Sequence, residues 1–181
     1  MACPELINIE KTACLNNQGG LELFISVWKS EDRSAMVFDT ATWTYTSISF
    51  GVTPSFKLPV SVEFHRDTAS LKQSGAGSVE TSNSTNTVTL IVTINAQDFL
   101  KSKGINAMAE GMQELDVALS YKNGVKWFLP NVQMTTYEAN SGVKRADGSN
   151  YVLTFTAEYS QLVGGLEDAD FASLISTGSF V

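Results

Sequence analysis

Alternating apolar and polar residues recur along the chain and predict a protein built mainly from β-strands. Residues 21–28, Leu-Glu-Leu-Phe-Ile-Ser-Val-Trp, are rich in β-branched and aromatic side chains and end at a charged, polar cluster. Because successive side chains of a strand point to opposite faces, such a segment can bury one face and expose the other. The same pattern is found in residues 35–39, 42–50, 115–121, 125–129, 131–138 and 151–159.

The longest alternating segment, residues 60–94, predicts a long β-hairpin. Its first arm begins with Val60 and runs to Gln73, a turn follows at residues 74–78, and the second arm returns as residues 79–94. At about 3.3 Å per residue, such arms would span some 40 to 50 Å, which exceeds the length of an ordinary strand. We therefore expect this hairpin to extend beyond its own domain.

A single helix is predicted after the hairpin, over residues 96–112. Asn95 and Asp98 have the spacing of a capping pair, which favours a helix start at this point. A buried helical stripe is expected to contain Phe99, Leu100, Ala107, Met108 and Met112.

Downstream, Lys122-Asn123-Gly124 lies between two alternating segments and predicts a tight hairpin turn of type I′.

Composition separates a central body from two terminal segments. Residues 1–20 are polar, weakly patterned and end in Asn-Asn-Gln-Gly-Gly, which predicts an N-terminal arm. Residues 21–163 contain the predicted strands and helix and form the body. Residues 164–181 begin with two glycines, have room for a turn or two of helix, and are predicted to be a C-terminal tail.

Charge and length exclude several classes of protein. The chain has 12 basic and 19 acidic residues and a net charge of −7, so it is not expected to bind nucleic acid through phosphate contacts. No apolar run reaches the roughly 18 residues of a membrane helix, and the first residues lack the pattern of a secretory signal. We therefore expect a soluble protein that is made in the cytoplasm.

Motifs for catalysis or metal binding are not found in the sequence. Gly75-Ala-Gly77 is not followed by Gly-Lys-Ser/Thr, and His65 has no Gly-x-Ser-x-Gly partner. Cys3 and Cys14, with a single histidine, offer little for a zinc site, and two free thiols are favoured over a disulfide. We therefore predict no enzyme activity, no cofactor and no metal, although sequence does not decide whether a pair of carboxylates meets in space.

The order of these elements resembles that of the tail tube proteins of bacteriophages, particularly those infecting Bacteroidota. The similarity extends over rather more than half of the chain, and its most specific parts are two short motifs. These are Lys-Asn-Gly-x-x-Trp at residues 122–127 and Asp-Gly-x-x-Tyr-x-Leu-x-Phe at residues 147–155.

This resemblance implies a β-sandwich or barrel flanked by one helix, with hexameric rings stacked into a hollow tube. The long hairpins of neighbouring subunits would join into one inner barrel, through which DNA passes during genome ejection without specific binding. The implied partners are other copies of the chain and the sheath, tape-measure and terminator proteins of the tail, with no membrane. The implied location is the virion tail, assembled in the host cytoplasm.

The polar face of the long hairpin is the candidate lining of such a lumen. Hydroxyl and acidic side chains would let a DNA duplex slide, because a cation-rich wall would hold it by releasing counterions. A register error of one residue exchanges the two faces of a strand, so sequence leaves open which face meets the lumen. The residues proposed to face the lumen are Ser61, Glu63, His65, Glu80, Thr87, Thr89 and Thr93.

The two terminal segments carry too little core patterning to belong inside a sandwich and are predicted to pack on neighbouring subunits or rings. Other roles with the same fold stay open: a neck, tail-terminator or capsid-associated protein, or a β-sandwich adhesin that binds a glycan on the host surface. Ring symmetry, bore and the presence of a contractile sheath are not decided by the sequence.

Overall fold

Strands make up most of the fold in a computed structural model, which describes residues 20–52, 54–64, 68–78, 83–141 and 149–180. The mainly β prediction, with a helix beside the sheet, is confirmed. The strands are β1 (Leu21–Lys29), β2 (Arg33–Asp39), β3 (Thr44–Val52), β4 (Ser55–Phe56), β5 (Val60–Glu63), β6 (Ala69–Ser78), β7 (Asn83–Asn95), β8 (Glu114–Tyr121), β9 (Lys126–Asn140), β10 (Asn150–Tyr159), β11 (Gly165–Leu166) and β12 (Ser179–Phe180). The helices are α1 (Phe99–Ala109) and α2 (Asp168–Thr177), and neither is long and apolar enough to cross a membrane.

Seven strands form a curled antiparallel sheet, an open half-barrel, in the order β5-β1-β8-β9-β10-β7-β6. One face of this sheet holds the larger hydrophobic core, to which β7 and β10 contribute Leu90, Val92, Leu153 and Phe155. These four side chains are fully buried, and the residues between them, Ile91 and Thr154, lie on the opposite face of the sheet. The side of α1 that carries Ile105 packs into this core.

A second layer covers the face of the sheet opposite the larger core only where β1, β8 and the first part of β9 lie. It consists of β3 with its neighbours β2, β4, β11 and β12, together with α2. Trp28 of β1 stacks on Phe50 of β3, with ring centroids 4.7 Å apart and planes inclined by 6°. The rest of this face, on the second half of β9 and on β10, β7 and β6, is not covered by any other described element.

The long hairpin differs from its prediction in two respects. Residues 60–63 are a separate strand, β5, which pairs with β1 and not with β7, so the hairpin begins at Ala69. Residues 74–78 are not a turn, because Ser74 to Ser78 continue β6 and pair with Thr87 to Asn83. Three glycine or alanine residues in this segment suggested a turn, but small side chains are also compatible with an exposed strand.

The helix prediction was correct in place and only partly correct in its buried stripe, since Met108 packs against the core whereas Ala107 is exposed. Asp98 caps α1, its carboxylate accepting a hydrogen bond from the Lys101 N–H at 2.8 Å. Phe99 and Leu100 are 95% and 83% exposed, and Met112, which lies in a single 3₁₀ turn after the helix, is also exposed. The helix meets the barrel through its later turns, and its start extends past the apolar core.

The C-terminal tail does not stand outside the sandwich. Residues 165–166 form β11 beside β3 and β9, and β12 pairs with the other edge of β3. Phe171 and Leu174 of α2, together with Phe180, are buried in the core of the second layer. The prediction that this segment lies outside the sandwich is therefore wrong for residues 164–180, and its packing on neighbouring subunits stays a prediction. Residues 1–19 lie outside the described part of the chain, so the N-terminal arm stays a prediction.

The predicted hairpin between β8 and β9 is confirmed, but its turn is not of type I′. Gly124 has a φ of +88°, whereas Asn123 is not among the residues with positive φ. The Gly124 N–H donates to the Tyr121 carbonyl at 2.9 Å, and the Tyr121 N–H donates to the Val125 carbonyl at 2.8 Å. This is a three-residue loop that ends in a left-handed glycine, a form that also suits the twist of a hairpin.

Candidate functional site

The uncovered surface opposite the larger core is a polar sheet face made by β9, β10, β7 and β6, which we call the polar face. Cross-strand partners place its side chains in rows, since paired residues of antiparallel strands point to the same side. The first row is Gln133–Thr156–Thr89–Lys72, the second is Thr136–Thr154–Ile91–Ser70, the third is Glu138–Val152–Thr93, and the fourth is Glu158–Thr87–Ser74.

Hydroxyl groups dominate the polar face, and its charge is low. Lys72, Glu138 and Glu158 are its charged residues in these rows, which gives a net charge of −1 from one base and two acids. The chain as a whole carries −7, so the acidic excess lies mainly elsewhere. The face therefore offers many weak hydrogen-bonding groups and little fixed charge.

Both sides of this four-stranded sheet end at an unpaired edge within the described residues. β6 pairs only with β7, so its other edge is free. β9 pairs with β8 only as far as Gln133, so from Met134 to Asn140 it has β10 on one side and no strand on the other. Edges of this kind present rows of N–H and C=O groups to any further strand.

The hydrogen-bond pattern shows which groups of β6 face outward. The Thr93 N–H donates to the Thr68 carbonyl at 2.9 Å, so these two residues form a hydrogen-bonded pair. Hydrogen-bonded and non-bonded pairs alternate along an antiparallel ladder. Leu71 and Gln73 are therefore in non-bonded pairs with β7, and their N–H and C=O groups point to the free edge.

The two free edges run in opposite directions. β6, β7, β10 and β9 are successively antiparallel, so β6 and β9 point opposite ways along the sheet. If the β6 edge of one molecule met the β9 edge of another, the new pair would be antiparallel like every other pair in the half-barrel. The sheet is thus suited to continuation from copy to copy.

The structure brings together some of the residues proposed from sequence and separates others. Thr87, Thr89 and Thr93 lie on one strand of the polar face. Ser61 and Glu63 are exposed on β5, and β1, β8, β9 and β10 lie between that strand and β7 in the sheet order. His65 and Glu80 lie outside the described residues.

Sequence reasoning missed half of the polar face, namely the contributions of β9 and β10. The alternation that buries Leu153 and Phe155 places Thr154 and Thr156 on the opposite side, so the signal was present. It was not assigned to the same surface as β7, because the pairing of β10 with β7 joins segments about sixty residues apart, for example Thr156 and Thr89.

A buried charged cluster lies where β8 and β9 meet the connection between β1 and β2. Asp116 is fully buried and accepts hydrogen bonds from Ser30 Oγ at 2.5 Å, from the Asn131 N–H at 2.9 Å and from Arg33 Nη1. Burial raises the pKa of the Asp116 carboxyl, and these donors partly oppose that effect. The carboxylate is engaged by its own chain, as a structural anchor would be.

Among the described residues, no group of three or more His, Cys, Asp or Glu side chains could hold a metal ion. An apolar groove lies between α1 and β5, lined in part by Val60, Leu100 and Met108. Its charged members are Glu63 and Lys101, and Lys101 Nζ already lies 3.3 Å from Asp98 Oδ2.

The chain matches no protein-family model, and no curated protein is significantly similar to it. The resemblance to tail tube proteins therefore rests on element order and the two short motifs.

Proposed function

We propose that this protein is the structural subunit of a bacteriophage tail tube, which forms stacked rings around a lumen for genome ejection. The observation that carries the proposal is the four-stranded sheet with a free edge on each side, one polar face and a hydrophobic core behind it. This role requires no catalysis and no cofactor.

Two complementary edges on one molecule favour a closed ring. An open edge of ten residues, such as β6, is prone to uncontrolled pairing unless another strand covers it. When the β6 edge contacts the β9 edge of the next copy, the same contact repeats around a rotation axis, and the last copy closes on the first. The free part of β9 and most of the β6 edge are then paired.

In such a ring the polar face would line the lumen, because the opposite face is occupied by each subunit's own hydrophobic core. A wall rich in threonine with a net charge of −1 per subunit would interact weakly with a DNA duplex. Tight binding of DNA depends on the release of counterions by many lysine and arginine contacts, and Lys72 is the one cation in the rows of the described face. Weak contact suits rapid passage.

The proposal implies that the protein resides in the tail of the virion after assembly in the host cytoplasm. The faces of each ring would contact further rings. The second layer, which contains β2, β3 and α2, would be available to a sheath, if one is present. Tape-measure and terminator proteins would be the other partners. A neck or tail-terminator protein would share the ring contact but would not stack into long tubes.

Electron microscopy of the concentrated, purified protein tests this proposal. We expect rings or tubes of uniform bore in negative stain. Gln73→Pro removes an N–H that points to the free edge of β6 and should abolish assembly, whereas Gln73→Ala keeps that N–H and should assemble normally. Both variants should show the circular dichroism of the native monomer, which separates loss of assembly from loss of folding.

A protein that stays monomeric at high concentration, with Gln73→Pro indistinguishable from the unaltered chain, would overturn the tube proposal. Binding of that monomer to a glycan array would support the adhesin alternative in its place.

A further inference from the structure

We infer that Lys72 of one copy forms an ion pair with Glu138 of the next copy across the ring contact, and that this pair sets the register of the joined strands. The inference rests on the proposed function, because it needs the β6 edge to meet the β9 edge. It adds a specific residue pair and a specific stagger to that contact.

The two free edges carry one charge each, and the charges are opposite. Lys72 is the sole charged residue of β6, and Glu138 is the sole charged residue of β9 from Met134 to Asn140. Both are exposed and belong to the polar face. Neither makes an ion pair with another residue in the described part of the chain.

The stagger that would bring them together is the one a closed barrel needs. Within one copy, Lys72 shares its row with Gln133 of β9. On β10, Gln133 pairs with Thr156 and Glu138 pairs with Val152, so Glu138 lies four residues along the sheet from the row of Lys72. A stagger of four residues over four strands is one residue per strand, or about 3.3 Å for every 4.8 Å across the sheet. The resulting strand tilt is about 35°, which is the tilt at which natural barrels close.

The direction of the stagger is also correct. We view the polar face with β7 running upward. In a strand of L-residues seen this way, a residue whose side chain points to the viewer directs its N–H to the right. Thr93 is such a residue and its N–H points to Thr68, so β6 lies to the right of β7. Seen from inside a barrel whose strands have the natural right-handed coil, a row of paired residues that is followed to the right meets the next copy at a higher level along the strands. β9 also runs upward in this view, so the row ending in Lys72 reaches the next copy beyond Gln133, towards Glu138.

The pair would occupy a position where side chains approach closely. Lys72 is in a hydrogen-bonded pair with β7, so against the next copy it would form a non-hydrogen-bonded pair. Residues opposite each other in such pairs have Cα atoms only about 4.5 Å apart, so opposite charges attract and like charges repel.

Charge reversal tests the pair. Lys72→Glu and Glu138→Lys should each raise the protein concentration for half-maximal assembly by about two- to tenfold, since each places like charges opposite one another. The double variant Lys72→Glu/Glu138→Lys should restore assembly to near the unaltered level. The double variant Lys72→Glu/Glu158→Lys is the matched control. It has the same net charge as Lys72→Glu/Glu138→Lys, but its new lysine is not on the β9 edge, so it should not restore assembly.

Cysteine cross-linking tests the register directly, in a chain in which Cys3 and Cys14 are replaced by serine. Lys72→Cys is combined in turn with Thr136→Cys, Glu138→Cys and Asn140→Cys, which correspond to staggers of about two, four and six residues. We expect intermolecular disulfides chiefly with Glu138→Cys. Within one copy β7 and β10 separate the two positions, so a cross-linked ladder reports contact between copies.

Rings that form with strongest cross-linking at Thr136→Cys or Asn140→Cys, or without rescue by the double charge variant, would overturn this pairing while leaving the tube proposal in place. Absence of rings from the unaltered chain under all concentrations would instead contradict the proposed function itself.

Discussion

Arg33 Nη1 lies 2.9 Å from Oδ1 and 2.8 Å from Oδ2 of Asp116, although 83 residues separate the two in the chain. The same carboxylate accepts hydrogen bonds from Ser30 and from the backbone of Asn131. These contacts therefore join the start of β2 and the β1–β2 connection to β8 and β9, between the half-barrel and its second layer. Asn131 has a φ of +54°, which turns the backbone of β9 towards the carboxylate.

Asp116→Ala should lower the free energy of unfolding by about 3 to 5 kcal/mol, because it leaves the Arg33 guanidinium and two further donors without their acceptor in a buried site. Urea denaturation of the monomer measures the loss. Glu31→Ala removes an exposed carboxylate that pairs with Lys29 nearby, and should change stability by less than about 1 kcal/mol. Equal effects of the two substitutions would show that the buried cluster is not an anchor.

Alkaline pH should weaken the fold through Tyr45. Burial raises the pKa of its phenol to about 12 from an ordinary value of 10, so the folded state resists deprotonation. A raised folded-state pKa contributes stability that is present below pH 10 and is lost as the pH rises from 10 to 12. Two pKa units correspond to about 2.7 kcal/mol.

Tyr45→Phe should therefore reduce the loss of stability between pH 9 and pH 12, as measured by urea unfolding at several pH values. Burial also raises the pKa of Tyr159, so some alkaline dependence will remain in this variant. An unchanged slope in Tyr45→Phe would contradict the assignment to Tyr45.

The C-terminal helix should matter to the stability of the isolated monomer. Leu174 is fully buried in the core of the second layer, so Leu174→Ala should cost about 2 to 5 kcal/mol in urea unfolding. Ala172→Ser, on the exposed side of the same helix, should cost less than about 1 kcal/mol. If the tail were docked on neighbouring subunits, Leu174→Ala would weaken assembly and leave the monomer unchanged.

Helix α1 shows which features of the fold could be predicted from the sequence and which could not. The cap at Asp98 depends on residues within one turn, so it could be predicted. The exposure of Phe99 and Leu100 depends on where the helix crosses the rim of the half-barrel, which no local pattern contains. The same reasoning applies to residues 74–78, where small residues are compatible with both a turn and an exposed strand.

The candidate site shows a similar division. Thr87, Thr89 and Thr93 were placed on one polar face by alternation within a single strand. Their neighbours on β9 and β10 follow from pairing between distant segments. The free edge of β9 follows from the start of β8 at Glu114, which pairs with Gln133.

The amino-acid sequence by itself determined the mainly β character, most strand positions, the Asn-Gly hairpin and the cap of α1, because these depend on side-chain alternation and on hydrogen bonds between near neighbours. The tertiary structure alone decided that β5 leaves the long hairpin, that the C-terminal segment joins the second core, and that Lys72 and Glu138 lie on opposite free edges of one sheet. Those outcomes depend on which strands pair and which faces are covered, and both result from competition among contacts far apart in the chain.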